Sequence, residues 1–191
     1  MQQDQRQFDH DNILSDIAAT VLDMTIKFGD LATARLLLRQ VRETDRQAVV
    51  EIQTDPEANR FHPEPPDEQA AVKELGNWLE HWTEYGYGYV AVLEAGSDEI
   101  IGIGGIRHRR FHGRRVLNLY YRFRPSAWGK GYALETARAI VDWAERELPE
   151  FPVVISAAEV NEPSWRLAER LGFTDYVVEP YAGLMTRHYR R

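Results

Sequence analysis

Cysteine is absent from the 191 residues, which excludes disulfide bonds, thiolate metal ligands and a cysteine nucleophile. The sequence also lacks any run of about 18 apolar residues, the length that a membrane-spanning helix needs. Its first residues, MQQDQRQFDHDN, show neither the basic start nor the apolar stretch of a signal peptide. We therefore expect a cytoplasmic protein with no membrane partner. If it is an enzyme, it works without a covalent thiol intermediate.

Charge is divided unevenly along the chain, whose formal net charge is −7. Residues 1–101 carry 8 Lys and Arg against 20 Asp and Glu, whereas residues 102–191 carry 15 against 10. An acidic chain is a poor general binder of nucleic acid, so we expect no nucleic-acid partner. The basic second half can still hold the phosphates of a small ligand.

The N-terminal 31 residues read as an extension in front of one domain, residues 32–191. Apolar residues recur at helical spacing from Ile13 to Leu22, which predicts a short amphipathic helix. Such a helix can pack on the domain, pair with a second subunit or fray. The sequence therefore leaves a homodimer open.

The hydrophobic pattern of the domain predicts a series of alternating elements. Strands are expected over residues 33–41, 87–95, 99–109, 114–124, 153–160, 173–181 and 184–189, and helices over 44–55, 67–86, 128–148 and 161–171. Turn compositions separate the second, third and fourth strands, which predicts an antiparallel meander. The fold class is α/β in the α+β sense, with a mixed, mostly antiparallel sheet flanked by helices on both faces.

The segment Trp128-Gly129-Lys130-Gly131-Tyr132-Ala133 joins a predicted strand to a predicted helix. Helix N-termini expose unpaired N–H groups, and glycine lets a phosphate approach the backbone closely. The segment therefore predicts a phosphate or pyrophosphate site. Its spacing fits neither the Rossmann fingerprint nor the P-loop. The glycines are also consistent with a plain corner between a loop and a helix.

Together with Asn161-Glu162-Pro163-Ser164 and the LAERLGF segment at 167–173, the glycine segment resembles the GNAT superfamily of acyl-CoA N-acyltransferases. The resemblance extends from about residue 32 to the last residue, and the predicted element order fits the GNAT fold. The branch it most resembles is that of ribosomal-protein N-terminal acetyltransferases. That branch typically has a first strand like residues 33–39 and an Asp-Pro after its first helix, as Asp55-Pro56 is here.

What the resemblance implies is acetyl-CoA as cosubstrate and no metal. The backbone of Phe123 and Arg124 would pair with the pantetheine arm, and the amides from Gly129 to Ala133 would hold the pyrophosphate. Asn161 would hydrogen-bond the pantetheine region, although Asn is also a favoured helix N-cap. The implied cofactor-binding residues are Phe123, Arg124, Trp128, Gly129, Lys130, Gly131, Tyr132, Ala133 and Asn161.

The implied reaction is direct attack of a primary amine on the thioester. Ser164 matches the position of the group that protonates the leaving thiolate in the related branch, but it can also bond within its own helical turn. The position that often holds a catalytic Glu is Asn118 here. Because an amide cannot take a proton, either a water relay or another group does so, or acceptors with a lowered amine pKa are preferred.

The acceptor would be a small-molecule amine or the N-terminal amine of a peptide. The candidates for lining its site are His62, Tyr85, Tyr87 and Tyr89. His62 lies in the proline-rich loop at 60–67, and the three tyrosines end one helix and begin the next strand. The acidic half of the chain would supply the helices and the loop around the acceptor, so we expect a cleft that favours a cationic amine.

Two other functions stay open. Asn118 in place of a carboxylate is consistent with a CoA-binding regulatory or interaction module without catalysis. The glycine segment is consistent with a dinucleotide-binding enzyme, which would bind NAD(P) in preference to CoA. Turnover with any amine would exclude the binding-only alternative.

Overall fold

The computed structural model describes residues 27–191, so the helix predicted between Ile13 and Leu22 lies outside the described residues. The helices are α1 (Arg46–Thr54), α2 (Glu68–Tyr85), α3 (Tyr132–Glu147) and α4 (Glu162–Arg170). The strands are β1 (Leu31–Ala32), β2 (Leu36–Gln40), β3 (Tyr89–Glu94), β4 (Ile100–Phe111), β5 (Arg114–Phe123), β6 (Val153–Ala158), β7 (Asp175–Tyr181) and β8 (Leu184–Arg190). Between residues 27 and 191 there is no helix with the length and apolar character needed to cross a membrane.

These strands form one open sheet in the order β1-β2-β3-β4-β5-β6-β8-β7. The pair β5–β6 is parallel, and the other neighbouring pairs are antiparallel. The predicted meander is the run β3-β4-β5. The prediction of a mixed, mostly antiparallel sheet is therefore confirmed.

Helices cover both faces of this sheet, as predicted. On one face, Trp78 of α2 packs edge-on against Tyr89 of β3, with ring centroids 5.2 Å apart. On the same face, Gln53 of α1 donates to the hydroxyl of Tyr120 on β5 (2.8 Å). On the opposite face, the methyl group of Thr136 on α3 lies over Gly104 of β4. We call these the α1–α2 face and the α3 face.

Two element boundaries differ from the predictions by three residues or more. The strand expected over residues 33–41 is confined to Leu36–Gln40, because the Thr33 N–H donates to the Leu36 carbonyl (2.9 Å) and closes a tight turn. The helix expected from Trp128 begins at Tyr132. A 3₁₀ turn occupies Pro125–Ala127, and two glycines with positive φ follow it, which a regular helix cannot include.

Phe28 anchors the start of the described chain to the core. Its ring packs edge-on against Trp82 of α2 and Trp143 of α3, with centroid distances of 6.0 and 4.9 Å. Its N–H donates to the carbonyl of Gly86 (3.0 Å). Residues before position 32 thus contribute to the core.

Gly105 of β4 allows two tyrosines of the α1–α2 face to stack. Tyr89 and Tyr120 are its partners on the two neighbouring strands, and their rings stack with centroids 5.0 Å apart. The φ of Gly105 is +139°, and a Cβ there would lie 2.4 Å from the Gly88 oxygen. No larger residue fits without moving the backbone of β3.

Replacing Gly105 by Ala is expected to lower the free energy of unfolding by roughly 3 kcal/mol, since backbone strain and overpacking each cost about 1–3 kcal/mol. The matched control is Gly76→Ala in α2, where an added Cβ meets nothing within 4 Å. Gly76→Ala should raise the free energy of unfolding by about 0.5–1 kcal/mol, because Gly destabilises a helix by that amount relative to Ala. Urea denaturation, monitored by tryptophan fluorescence, measures the free energy of unfolding of both variants. Equal stability of Gly105→Ala and the wild type would contradict the close approach of β3 to Gly105.

Candidate functional site

The strands β5 and β6 separate in the middle of the sheet. Their parallel register covers three pairs, from Leu117 with Val153 to Leu119 with Ile155. Beyond these pairs, β5 remains bonded to β4, and β6 remains bonded to β8. The gap between the two strands is called the β5–β6 opening below.

Backbone N–H groups of β5 point into the β5–β6 opening. The Leu117 N–H donates toward the β6 side, to the Pro152 carbonyl (3.0 Å). Successive N–H groups along a strand point to opposite sides, so those of Tyr121 and Phe123 also face β6. No ladder partner is present there in the described part of the chain. Two backbone donors are therefore available to a ligand.

The glycine loop, residues 128–131, follows the wide end of this opening. Gly129 and Gly131 have φ values of +74° and +80°. Gly131 is the N-cap of α3, and the first helical hydrogen bond runs from the Glu135 N–H to its carbonyl (3.1 Å). The N–H groups of residues 132–134 therefore have no partner within the helix, and they coincide with the positive end of its dipole.

Glu135 fixes the shape of the glycine loop. Its carboxylate accepts from the Thr33 hydroxyl (2.6 Å) and from the backbone N–H and Nε of Arg35 (3.0 and 2.8 Å). Arg35 in turn donates from Nη1 to the Lys130 carbonyl (2.9 Å). Burial opposes ionisation, but the bonds from Thr33 and Arg35 outweigh it and keep the pKa of Glu135 below its ordinary value of 4.5. An ionised carboxylate thus holds the loop against β2.

Side chains and backbone groups in and just before the glycine loop bond within the protein. Trp128 donates from Nε1 to the Phe123 carbonyl (3.0 Å). The Arg124 N–H donates to Ile101, and its carbonyl accepts from Ala127. Lys130 places Nζ 3.5 Å from a carboxylate oxygen of Glu94. The loop therefore presents backbone amides rather than side-chain charge.

On the α3 face, the opening brings the hydroxyl groups of Ser164 and Tyr121 close to each other. Asn161 caps α4 by accepting from the Ser164 N–H (3.3 Å). Burial raises the pKa of Tyr121 to about 12, and the nearby Ser164 hydroxyl opposes that rise. Within the described residues, the Tyr121 hydroxyl has no hydrogen-bond partner of ordinary geometry. Ser164 was identifiable from its motif, whereas Tyr121 was missed because only its place on β5 reveals it.

On the α1–α2 face, a chain of polar contacts bridges the two separating strands. Arg109 donates from Nη1 to Asn118 Oδ1 on β5 (3.1 Å) and to Ser156 Oγ on β6 (3.0 Å). Ser156 Oγ lies 2.8 Å from Nδ1 of His188 on β8. Because Oγ already accepts from Arg109, its hydrogen is available to Nδ1. Asn118 accepts a hydrogen bond in this series of contacts, but its amide cannot act as a base.

His188 is a buried imidazole that stays neutral. Its exposed fraction is 1%, and burial, followed by the charge of Arg109, lowers its pKa from 6.5. Glu179 partly offsets this effect, with Oε1 3.8 Å from Nε2. A neutral imidazole can accept a proton at pH 7. No sequence signal pointed to the contact between Ser156 and His188. The two residues are 32 positions apart, and only the β6–β8 register brings them together.

The predicted acceptor-site residues lie in three different places. Tyr89 is buried on the α1–α2 face, where burial raises its pKa and the nearby side chain of Asn118 opposes that rise. Tyr87 bonds His108 Nε2 through its hydroxyl (2.6 Å) and packs on Trp143 of α3. Tyr85 packs on His81 and His108. Tyr85 and Tyr87 are thus not brought together with Asn118.

The loop that contains His62 reaches the far end of the sheet. His62 donates its N–H to the Asn59 carbonyl (2.7 Å), and its side chain is exposed. The next residue, Pro63, lies against Gly183 in the turn between β7 and β8. Loop and turn therefore lie next to each other at this end of the sheet.

The charge of the α1–α2 face contradicts the expectation of a cleft that favours a cation. Arg107, Arg109 and Arg122 all lie on this face. Arg107 is 3.7 Å from Glu74, whereas Arg122 donates to two oxygens of the neutral Gln53. The acidic residues of the first half lie mainly on outer helix and loop surfaces, as Glu43 and Glu57 do. The sequence-level charge count did not predict which side chains face inward.

In the described part of the chain, no group of three or more His, Asp or Glu side chains is placed to hold a metal ion.

Comparison with known proteins gives consistent matches. Residues 35–174 match the family model described as an acetyltransferase (GNAT) domain. The uncharacterized N-acetyltransferase YnaD of Bacillus subtilis (strain 168) is 27% identical over 142 residues, which are 74% of this chain and 81% of that protein. The structure of a GNAT-family acetyltransferase from Bordetella pertussis, 27% identical, has a TM-score of 0.72 and covers 85% of this chain and 98% of its own.

A more distant match is similar in fold alone. It is RimL, a ribosomal L7/L12 alpha-N-protein acetyltransferase solved in complex with coenzyme A, at 16% identity and a TM-score of 0.66. The alignment covers 84% of this chain and 96% of that one.

Proposed function

Because the chain belongs to the GNAT acetyltransferase family, an acyl-CoA-dependent acetyltransferase family, we propose that it moves an acetyl group from acetyl-CoA to a primary amine by direct attack. The acceptor is a small-molecule amine or a peptide N-terminus. The observation that carries this proposal is the β5–β6 opening, which leads without interruption into the glycine loop at the start of α3. A strand gap next to a helix N-terminus suits a ligand with an amide-containing arm and a diphosphate.

In this proposal the backbone binds the cosubstrate. The free N–H group of Phe123 pairs with the pantetheine arm, and the amides from Gly129 to Ala133 hold the pyrophosphate. Trp128 and Arg124 hold the loop in place. The Asn161 amide uses Oδ1 as the helix cap, which leaves Nδ2 free to donate to the pantetheine region. Lys130 and Tyr132 flank the phosphates without a required contact.

The two faces of the opening have different tasks. The free N–H group of Tyr121, nearer to the point where β5 and β6 separate, stabilises the oxyanion that develops on the acetyl carbonyl. On the α3 face, the Ser164 hydroxyl donates a proton to the departing thiolate, with Tyr121 as its neighbour. The amine approaches from the α1–α2 face, where Asn118 and Ser156 stand on either side.

Ser156 and His188 accept the proton that the amine loses. Alkylamines are protonated to ammonium ions at pH 7, so the attacking amine needs a group that accepts its proton. Ser156 takes a proton from the amine at Oγ while its own hydrogen passes to His188 Nδ1. His188 becomes an imidazolium, which Glu179 stabilises across 3.8 Å. This relay replaces the carboxylate that is absent at Asn118.

Titration with acetyl-CoA in a calorimeter tests the site. Wild-type protein should bind with a dissociation constant of tens of micromolar or less. Gly131→Glu should weaken binding by roughly 100-fold, because like charges placed together cost several kcal/mol. The matched control is Gly113→Glu, which also has a positive φ and open surroundings but lies in the β4–β5 turn; it should bind normally.

Thiol release with an amine panel then separates the alternative functions. Turnover supports acetyl transfer, whereas tight acetyl-CoA binding with no turnover of any amine would indicate a regulatory CoA-binding module. Equal acetyl-CoA affinity of Gly131→Glu and the wild type would overturn the site. Preferential binding of NAD(P) would overturn the proposal as a whole.

Replacing His188 by Asn, which keeps an acceptor near Ser156, should lower kcat by about 10²–10⁴-fold, the usual contribution of general base catalysis. The acetyl-CoA affinity should not change. Wild-type kcat/KM should fall as the pH drops through the lowered pKa of His188, below 6.5, since only the neutral ring accepts a proton. The variant should lose this acid limb.

Ser156→Ala gives the internal control for the relay. If Ser156 and His188 act as one path, the double variant should be no slower than either single variant. Additive losses, or an unchanged acid limb in His188→Asn, would contradict the relay.

A further inference from the structure

The α1–α2 face carries a half-buried cation that the proposed function leaves unused. Arg109 donates from Nη1 to two neutral oxygens, those of Asn118 and Ser156. Throughout residues 27–191, its Nε and Nη2 make no hydrogen bond, and no carboxylate forms an ion pair with it. A partly buried guanidinium with only neutral partners is unusual, because charged groups are normally paired when they leave water.

The surroundings of Arg109 hold it in place without neutralising it. Its Cζ lies 4.3 Å from the ring centroid of Tyr181 and 5.6 Å from that of Phe111. Aromatic faces orient a guanidinium and leave its donor edge open. The nearest carboxylate of the β7–β8 hairpin, Glu179, is engaged by His112 at 2.9 Å.

The position of Arg109 relates it to the acceptor. Its Nη1 bridges Asn118 on β5 and Ser156 on β6, one on each side of the opening. By the proposed function, the amine comes to rest between these two residues. The free Nε and Nη2 edge therefore lies beside the place that the proposed function gives to the amine.

We propose that the acceptor is an amine that also carries a carboxylate, and that Arg109 binds this carboxylate. This inference rests on the proposed function. The Nε–Nη2 edge of a guanidinium matches a carboxylate with two parallel hydrogen bonds. Because the free edge of Arg109 lies beside the place proposed for the amine, it suits a carboxylate on the same carbon as the amine, which favours a free amino acid over a peptide.

This assignment also explains the residue at position 118. A carboxylate there would form an ion pair with Arg109 and compete with the carboxylate of the acceptor. Asn118 accepts the Nη1 hydrogen and leaves the charge of Arg109 available. The same charge lowers the pKa of a nearby ammonium group, which helps to free the amine for attack.

Matched acceptors and two variants test the inference. Steady-state rates are measured for L-amino acids, for the same amino acids as α-amides, and for short peptides beginning with Asp or Glu. The α-amide keeps the amine and its side chain but lacks the charge. Wild-type kcat/KM should favour a carboxylate-bearing acceptor over its neutral analogue by about 10–100-fold, the size expected for hydrogen bonds to a charged group.

Arg109→Gln should reduce this preference to near one, mainly by raising the KM of the carboxylate-bearing acceptor. Any loss of kcat that comes from the missing bond to Ser156 should be shared by α-amides, so it cancels in the preference. Arg109→Lys should restore part of the preference, since it returns the charge without the two-pronged geometry. Arg110→Gln is the matched control, because Arg110 is the next residue on β4 and is exposed on the other face. It should keep the wild-type preference.

The relative rates with free amino acids and with acidic peptides show which kind of molecule carries the carboxylate. Preference for free amino acids over acidic peptides supports a small-molecule acceptor, and the reverse supports a peptide with an acidic first residue. Equal rates with charged and neutral acceptors, or a preference for charged acceptors that Arg109→Gln leaves unchanged, would overturn the inference while leaving acetyl transfer intact.

A binding measurement separates failure of this inference from failure of the proposed function. Calorimetric titration of L-amino acids into protein saturated with CoA should show binding that Arg109→Gln abolishes. Such binding without turnover of any amine would retain Arg109 as a carboxylate site and refute acetyl transfer. Absence of this binding, together with turnover of neutral amines, would refute the role of Arg109 alone.

Discussion

The separation of β5 from β6 after Leu119 and Ile155 is the constraint on which the rest of the site depends. A buried strand normally satisfies its backbone on both sides, and an unpaired N–H that is buried costs free energy. Here β4 satisfies one side of β5, and the other side is left to a ligand. Across the gap, β8 satisfies the far side of β6 in the same way.

The gap also divides the chemistry between the two faces of the sheet. The α3 face holds the phosphate-binding amides, Ser164 and Tyr121, which suits a polyanion and a leaving group. The α1–α2 face holds Arg109, Ser156 and His188, which suits proton removal and an anionic acceptor. Because each face is covered by its own helices, the proposed function has cosubstrate and acceptor approach from opposite sides and meet only at the opening.

The fold and the glycine loop were predictable from the sequence, because periodicity and turn residues are local signals. The N-cap at Asp67 and the C-cap at Gly86 bound α2 as expected. The acceptor side was not predictable, since it depends on register between distant strands. Arg109, Ser156 and His188 come from three strands, and the tyrosines at 85 and 87 turn toward Trp143 and His108 instead. Net charge by sequence segment likewise did not reveal that three arginines face inward.

Amide hydrogen exchange with and without acetyl-CoA tests the central claim most directly, since it reports on the backbone of the β5–β6 opening itself. We predict that acetyl-CoA slows exchange at Tyr121, Phe123 and residues 129–133, while the β7–β8 turn and the β4–β5 turn change little. Protection confined to other segments, or none at concentrations that saturate binding, would contradict a cosubstrate site in the β5–β6 opening.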